Sequence, residues 1–411
     1  MHAGVLPVPC WRRPDVTAPP STPEPSDTPV SRWLTNSLPV LVIVVAAVAG
    51  LLVQAQRGVF SSDFQDLDVQ ADWIVARATV DGLSPYTGLE ELGERYAVPY
   101  RFNRPEGQTG DAAHPRTPGA VLLSLPLAAL SYDQLNLAAL VVGAGALVLA
   151  IVLTMRDEKA AILVIALAVL IVLSSRSASW SFRWTNQSTI LALCSWIVLR
   201  ARHRESTGAG LALAVAGALK LFPLLLLLPL IRMRRWRTVG TAIAASATLQ
   251  LIPLAVPHIR LGDAITALQE AREFWYGLGG NISLAAALDD FGFVSSGTAT
   301  VIALLGIGAL VALLWARDLS ADVQLLVAAA ASVILVPVGW ESYLLFMVPF
   351  LLAVLLRTTG AARWVWSLGL IVLAVPPTRP AAYGTMVALV AAAMAVHTAM
   401  RSAPHEMSPA G

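Results

Sequence analysis

Charge is scarce in this chain. Only 13% of its 411 residues are Asp, Glu, Lys or Arg, against about a quarter in an ordinary soluble domain. Lysine is nearly absent, with Lys159 and Lys220 the only two. The net charge of +2 supplies no field for a nucleic acid or any other polyanion. Cysteine is equally thin. Cys10 and Cys194 give neither a disulfide framework nor a thiolate metal set. A GxxxxGK[ST] phosphate loop, a GxGxxG run after a strand and a His/Cys ligand set are all missing. These absences argue against nucleotide hydrolysis and zinc chemistry, and neither a metal nor another cofactor is expected. The alternating pattern of a membrane barrel is missing too.

What is present is apolar. Hydrophobic residues make up 56% of the chain and mean hydropathy is +0.68. Runs of roughly 18 apolar residues recur, the length a helix needs to cross about 30 Å of hydrocarbon. The reading is an all-α polytopic membrane protein. A Pro-, Ser- and Thr-rich tail, 1–33, and a short tail, 402–411, are expected to be disordered. They flank a membrane domain over 34–401. About 35 residues precede the first apolar run, 38–54, too many for a secretory signal, so it reads as an uncleaved anchor. Further apolar segments fall at 118–130, 135–154, 160–174, 188–200, 208–231, 238–256, 298–316, 323–338, 343–356, 364–376 and 383–400.

Arginine orients them. The clusters Arg200/Arg202/Arg204, Arg232/Arg234/Arg235/Arg237, Arg317 and Arg357/Arg363 mark cytoplasmic linkers. Segment 208–231 lies between two of these clusters, so it enters and leaves on one side. Its length cannot make two crossings, which need about 40 residues. It reads as two half-helices turning near Lys220-Leu-Phe-Pro223, about 18 Å deep. Parity also makes 118–130 re-entrant or broken. The result is about ten full spans plus partial ones. A large extracytoplasmic loop, 57–117, carries interfacial helices, and a second lies at 257–297.

Polar groups then collect on the outer face, each with two readings. Asp63, Asp66, Asp68 and Asp72 follow the first span. In a helix over 66–80, Asp68 and Asp72 share a face. They read either as a general base near apolar walls or as the wet side of a loop helix. Lys220 is either a clamp on an anionic headgroup or a lysine snorkelling to an interface. His114 opens a Pro-stiffened loop. Asn186 and Gln187 either bind sugar hydroxyls or cap the next helix. Trp340, Glu341 and Tyr343 sit between spans, where aromatics also form interface belts.

Four stretches in order carry a resemblance. They are Asp68-Val-Gln-Ala-Asp72…Gly82-Leu-Ser-Pro-Tyr86; His114-Pro-Arg-Thr-Pro118 with Leu125-Pro-Leu127; Asn186-Gln187, Gly210, Lys220-Leu-Phe-Pro223 and Arg234-Arg-Trp236; and Val336-Pro-Val-Gly-Trp340-Glu-Ser-Tyr343. Together they resemble glycosyltransferase family 87. Asn186 stands where that pattern has Gly. Arg116 interrupts its Pro-Pro pair, and Glu341-Ser-Tyr343 replaces its paired histidines. The resemblance implies a GT-C-like bundle in the plasma membrane with its active site outside the cytoplasm. It implies a polyprenyl-phosphate sugar donor, mannose favoured over arabinofuranose, and an envelope glycolipid or glycan acceptor. Asp68, Asp63 or Asp66 would then be the base. Lys220, His114 and Arg116 would hold the donor phosphate. Asn186, Gln187, Trp340, Glu341, Tyr343 and Asn281 would grip sugar or acceptor. A secondary transporter or lipid-linked sugar flippase is the alternative, because broken helices around a buried cation also suit transport.

Overall fold

The computed structural model describes residues 29–60, 68–98, 116–276, 281–290, 292, 298–336 and 338–358. Among them the chain is helical, with one isolated antiparallel bridge between Asn281 and Trp340. The first helix, α1, spans Pro29–Gln56 and so begins inside the stretch assigned to the tail. Then come α2 (Asp68–Val80), α3 (Leu89–Arg95) and α4 (Pro118–Ser124), the last continuing as a 3₁₀ turn over Leu125–Ala129. The central helices are α5 (Tyr132–Asp157), α6 (Ile162–Leu173), α7 (Arg176–Arg183) and α8 (Ser188–Leu199). They are followed by α9 (Thr207–Leu219), α10 (Leu227–Arg232), α11 (Trp236–Leu251) and α12 (Leu261–Tyr276). The last four are α13 (Leu284–Asp290), α14 (Ala299–Ala316), α15 (Ala321–Ile334) and α16 (Val348–Arg357). The apolar segments 364–376 and 383–400, and both tails apart from 29–33, lie outside the described residues.

Among the described residues, four helices are long and apolar enough to cross a membrane: Ser37–Gln56, Gln134–Asp157, Trp236–Ala255 and Ala299–Ala316. The bent pair α6–α7, which turns by 57°, makes a fifth if it is one span. Helices α8, α15 and α16 have 12, 14 and 10 residues, shorter than a crossing. The outward faces support a lipid setting. On α1, Leu41, Val45, Val48 and Leu52 are 50–60% exposed at helical spacing, a stripe that water would not favour.

The bend between α6 and α7 frees backbone carbonyls, which need partners in an apolar setting. The buried Gln54 amide donates to the Leu173 and Ser175 carbonyls, and Arg57 donates to Ser174 at 2.6 Å. Helix α1 is thereby tied to the break. Helix α2 is buried on nearly every side, from Val69 to Thr79 apart from Arg77. It packs on α3, α4, the 125–129 turn and α5. Trp73 pins it by donating to the Leu130 carbonyl at 3.1 Å, with the Tyr96 and Tyr132 rings set edge-on.

Segment 207–232 folds back on itself. At one end, Arg235 donates to the Arg202 carbonyl at 2.6 Å, and Ser206 N donates to Thr238 Oγ1 at 2.9 Å. At the other end, Thr117 Oγ1 donates to the Ala218 carbonyl at 2.7 Å and receives Gln250 Nε2 at 3.2 Å. Helices α9 and α11 therefore run side by side in one direction, and α10 returns to the starting level. Close approach demands small residues here. A Cβ on Gly210 would stand 2.6 Å from the Thr238 carbonyl, and one on Gly217 would stand 2.5 Å from Leu224 Cδ2 across the turn. The turn is at Lys220, whose backbone is extended (φ −148°, ψ 130°). Pro223 starts the 3₁₀ turn Phe222–Leu226, where a missing N–H costs nothing.

An ion network closes the Arg-bearing end. Arg202 bonds Glu158 and lies 3.2 Å from Asp322, while Arg357 reaches Glu158 at 2.8 Å and Asp322 at 3.1 Å. It joins the end of α5, the loop after α8, the start of α15 and the end of α16. Burial raises the Glu158 pKa, but hydrogen bonds and charge from Arg357 and Arg202 outweigh it and leave that carboxyl below its ordinary range.

Candidate active site

A cluster of charged and polar side chains forms where α2, α4, α8 and the α9 turn meet. Helix α2 supplies Asp68 and Asp72 one turn apart, as their spacing predicts. Asp72 is 2% exposed, and its Oδ1 accepts from Arg116 Nε at 2.6 Å. Its Oδ2 accepts from Gln187 Nε2 at 2.6 Å. Arg116 is equally buried at 2% exposure and sits two residues before α4. Thr117 caps that helix by accepting from Ala120 N, which fixes the backbone beside the guanidinium.

This carboxylate is therefore occupied. It holds a guanidinium on one oxygen and an amide on the other. Both partners keep a buried atom without a protein partner, Arg116 Nη2 as donor and Gln187 Oε1 as acceptor. Buried polar groups are nearly always satisfied, so these two atoms stand open to a further hydrogen-bonding group.

Asp68 behaves differently. It is half-buried, and its backbone N–H donates to the Trp184 carbonyl at 2.8 Å. Among the described residues its carboxylate has no ion-pair partner. The groups whose charge acts on Arg116 include Asp68, Asp72 and Tyr343. Lys220 lies within reach of the fields of Arg116, Asp68 and Asp72. Its Nζ stands 5.4 Å from the centre of the Tyr343 ring, and that ring stacks on Phe222 at 4.8 Å. The break in α9 thus carries an ammonium over an aromatic face, beside a guanidinium and a carboxylate.

The other expected residues divide. Asn186 is taken up by the protein: Nδ2 donates to Ser342 Oγ at 2.8 Å, and Oδ1 accepts from Ser181 Oγ and Ser188 N at 2.9 and 3.0 Å. It ties the start of α8 to the 340–343 stretch. Glu341 pairs with Arg176 at 2.8 Å. Asn281 is fully buried, and its Oδ1 accepts from Ser283 N and Gly339 N at 3.0 and 2.9 Å. Together with the bridge to Trp340 it fastens the second loop to the same stretch. Asp63, Asp66 and His114 lie outside the described residues. Asp72 stood in the acidic cluster read from the sequence but was not assigned the role of holding Arg116 and Gln187. Its signal was the i, i+4 spacing to Asp68, but a partner 44 residues away left none.

Among known proteins, no curated one matches the chain. The model of glycosyltransferase family 87 matches residues 117–356, more than half of the sequence. That stretch contains Gln187, Lys220 and Tyr343, and it begins one residue after Arg116. With several helices apolar enough for a membrane and a match of this extent, the chain belongs to glycosyltransferase family 87 and is a multi-pass membrane glycosyltransferase.

Proposed function

We propose that the protein transfers a sugar, mannose in the first instance, from a polyprenyl-phosphate donor to an envelope glycolipid or glycan. The proposed site opens on the extracytoplasmic face of the plasma membrane, with about ten spans and the 208–231 hairpin re-entrant. The observation that carries the reading is the convergence of Asp68, a carboxylate with no ion pair among the described residues, with Lys220 and with the unsatisfied Nη2 of Arg116.

The chemistry follows from these groups. Asp68 takes the proton of the acceptor hydroxyl as its oxygen attacks the anomeric carbon. A new carbon–oxygen bond forms there while the bond to the donor phosphate breaks. The bonding pair leaves on the phosphate oxygen, where Lys220 and Arg116 Nη2 oppose the developing charge. Such stabilisation is strongest in a water-poor site. Asp72 acts through others: it aims Arg116 at the phosphate and Gln187 Oε1 at a sugar hydroxyl. Trp340 and Tyr343 are proposed as sugar-facing aromatics. Asn186, Glu341 and Asn281 are proposed to shape the acceptor wall, and His114 to assist at the phosphate.

Membership of a glycosyltransferase family argues against the transport alternative. An arabinofuranosyl donor would present the same lipid phosphate leaving group, so labelled donors of both kinds belong in one assay. Proteoliposomes given labelled polyprenyl-phosphate mannose should release free polyprenyl phosphate in step with acceptor labelling. Uptake of sugar without bond cleavage would overturn the proposal.

A further inference from the structure

The end of α9 and α11 remote from Lys220 carries the strongest uncompensated charge among the described residues. The linkers 200–206 and 232–237 meet there through Arg235 to the Arg202 carbonyl, and through Arg237 N to Glu205 at 3.4 Å. The acids nearby are largely spent. Asp157 lies 3.9 Å from Arg200, and Glu158 and Asp322 hold Arg202 and Arg357. Arg204, Arg232, Arg234, Arg235 and Arg237 have no ion pair among the described residues. Two guanidinium nitrogens at this junction, Arg202 Nη1 and Arg235 Nε, are buried without a hydrogen-bond partner, and Arg202 is only 6% exposed.

An apolar strip rises directly from this patch. Trp236, between Arg235 and Arg237, is 59% exposed. Ile243 and Leu251 follow on α11 at 54% and 64% exposure. The spacings of seven and eight residues keep them near one face, over about 22 Å of helix. Cations at one end, a tryptophan at the border and an apolar strip beyond it match an amphiphile. A soluble anion would not use the strip, and a nucleic acid would not tolerate it.

We propose that this junction is a binding site for an anionic phospholipid. Its headgroup phosphate would sit among Arg204, Arg234, Arg235 and Arg237, and its acyl chain would lie along Trp236 and Ile243. Clusters of four to eight basic residues beside a membrane helix recognise such headgroups by charge. The site is distinct from the Asp68–Lys220 cluster and does not depend on the proposed transfer reaction.

The full chain, purified in mild detergent, can be offered phosphatidylglycerol or phosphatidylcholine and weighed intact by native mass spectrometry. The wild type should retain phosphatidylglycerol about ten-fold better, with the preference shrinking as salt is raised. The double variant R234Q/R237Q should lose the preference, while R234K/R237K, which preserves charge, should keep it. Equal retention of the two lipids would overturn the proposal. So would an unchanged preference in R234Q/R237Q, or full displacement of the lipid by inorganic phosphate alone.

Discussion

Replacing Asp72 with Asn is the most discriminating change to the architecture of the site. Asp72 and Arg116 have side chains 3% and 2% exposed, and they pair at 2.6 Å. Asp72→Asn leaves a buried guanidinium without its counter-charge, a loss of about 3–5 kcal/mol for pairs of this kind. The weakened Gln187 contact adds about 1 kcal/mol. Asp68 sits near enough to compensate in part, which places the total near 3 kcal/mol, at the low end of that range. The double variant Asp72→Asn/Arg116→Met removes both charges together and should recover stability to within about 1 kcal/mol of wild type. It should not recover transfer, because the phosphate donor is gone. Unfolding in mixed micelles, followed by tryptophan fluorescence, measures the wild type, Asp72→Asn, Arg116→Met and the double variant. Wild-type stability in Asp72→Asn, or strictly additive losses in the double variant, would refute the buried pair and its coupling.

Other consequences follow from the same geometry. Lys220→Met should lower kcat by about 10²–10³-fold with a smaller change in KM, because the charge it opposes develops only as the phosphate leaves; a raised KM with kcat unchanged would make it a ground-state contact. Glu158→Gln should cost about 3 kcal/mol, since this carboxylate holds two arginines while only 6% exposed. Its carboxyl lies below the ordinary range, opposed by burial and lowered by Arg357 and Arg202. Its contribution is therefore full above the unfolded carboxylate pKa and is lost as pH falls through the folded value. His203 adds a loss at higher pH. Burial first, then Arg202 and Arg357, keep its pKa below the ordinary imidazole value, so stability falls as pH drops below about 6.5. Melting scans from pH 8 to pH 2 should show both steps in the wild type and a smaller carboxylate step in Glu158→Gln.

Some of this was legible from sequence and some was not. Arginine counting drew a hairpin over 208–231 turning near Lys220-Leu-Phe-Pro223, and the helix break at Lys220 falls at that turn. Lys220 stood out because a lone ammonium in an apolar run needs a reason. The helix carrying Asp68 and Asp72 was legible from spacing, but its burial was not. Burial there comes from α3, α4 and α5, and no local pattern announces packing partners that distant. The Asp72–Arg116 pair was hidden for the same reason. Span counting from hydropathy overlooked the breaks. The apolar runs at 188–200, 323–338 and 343–356 carry helices interrupted by 3₁₀ turns or by an early stop, and apolar content alone does not register backbone breaks.

The central claim is that Asp68 removes the acceptor proton in a glycosyl transfer from a lipid phosphate. Its most direct test is Asp68→Asn in proteoliposomes with labelled polyprenyl-phosphate mannose and an envelope glycolipid acceptor. Because Asp68 is half-buried and unpaired among the described residues, the variant should fold with near wild-type stability. It should release no polyprenyl phosphate and label no acceptor. Wild-type turnover in that variant would contradict the account and move the base to Asp63 or Asp66.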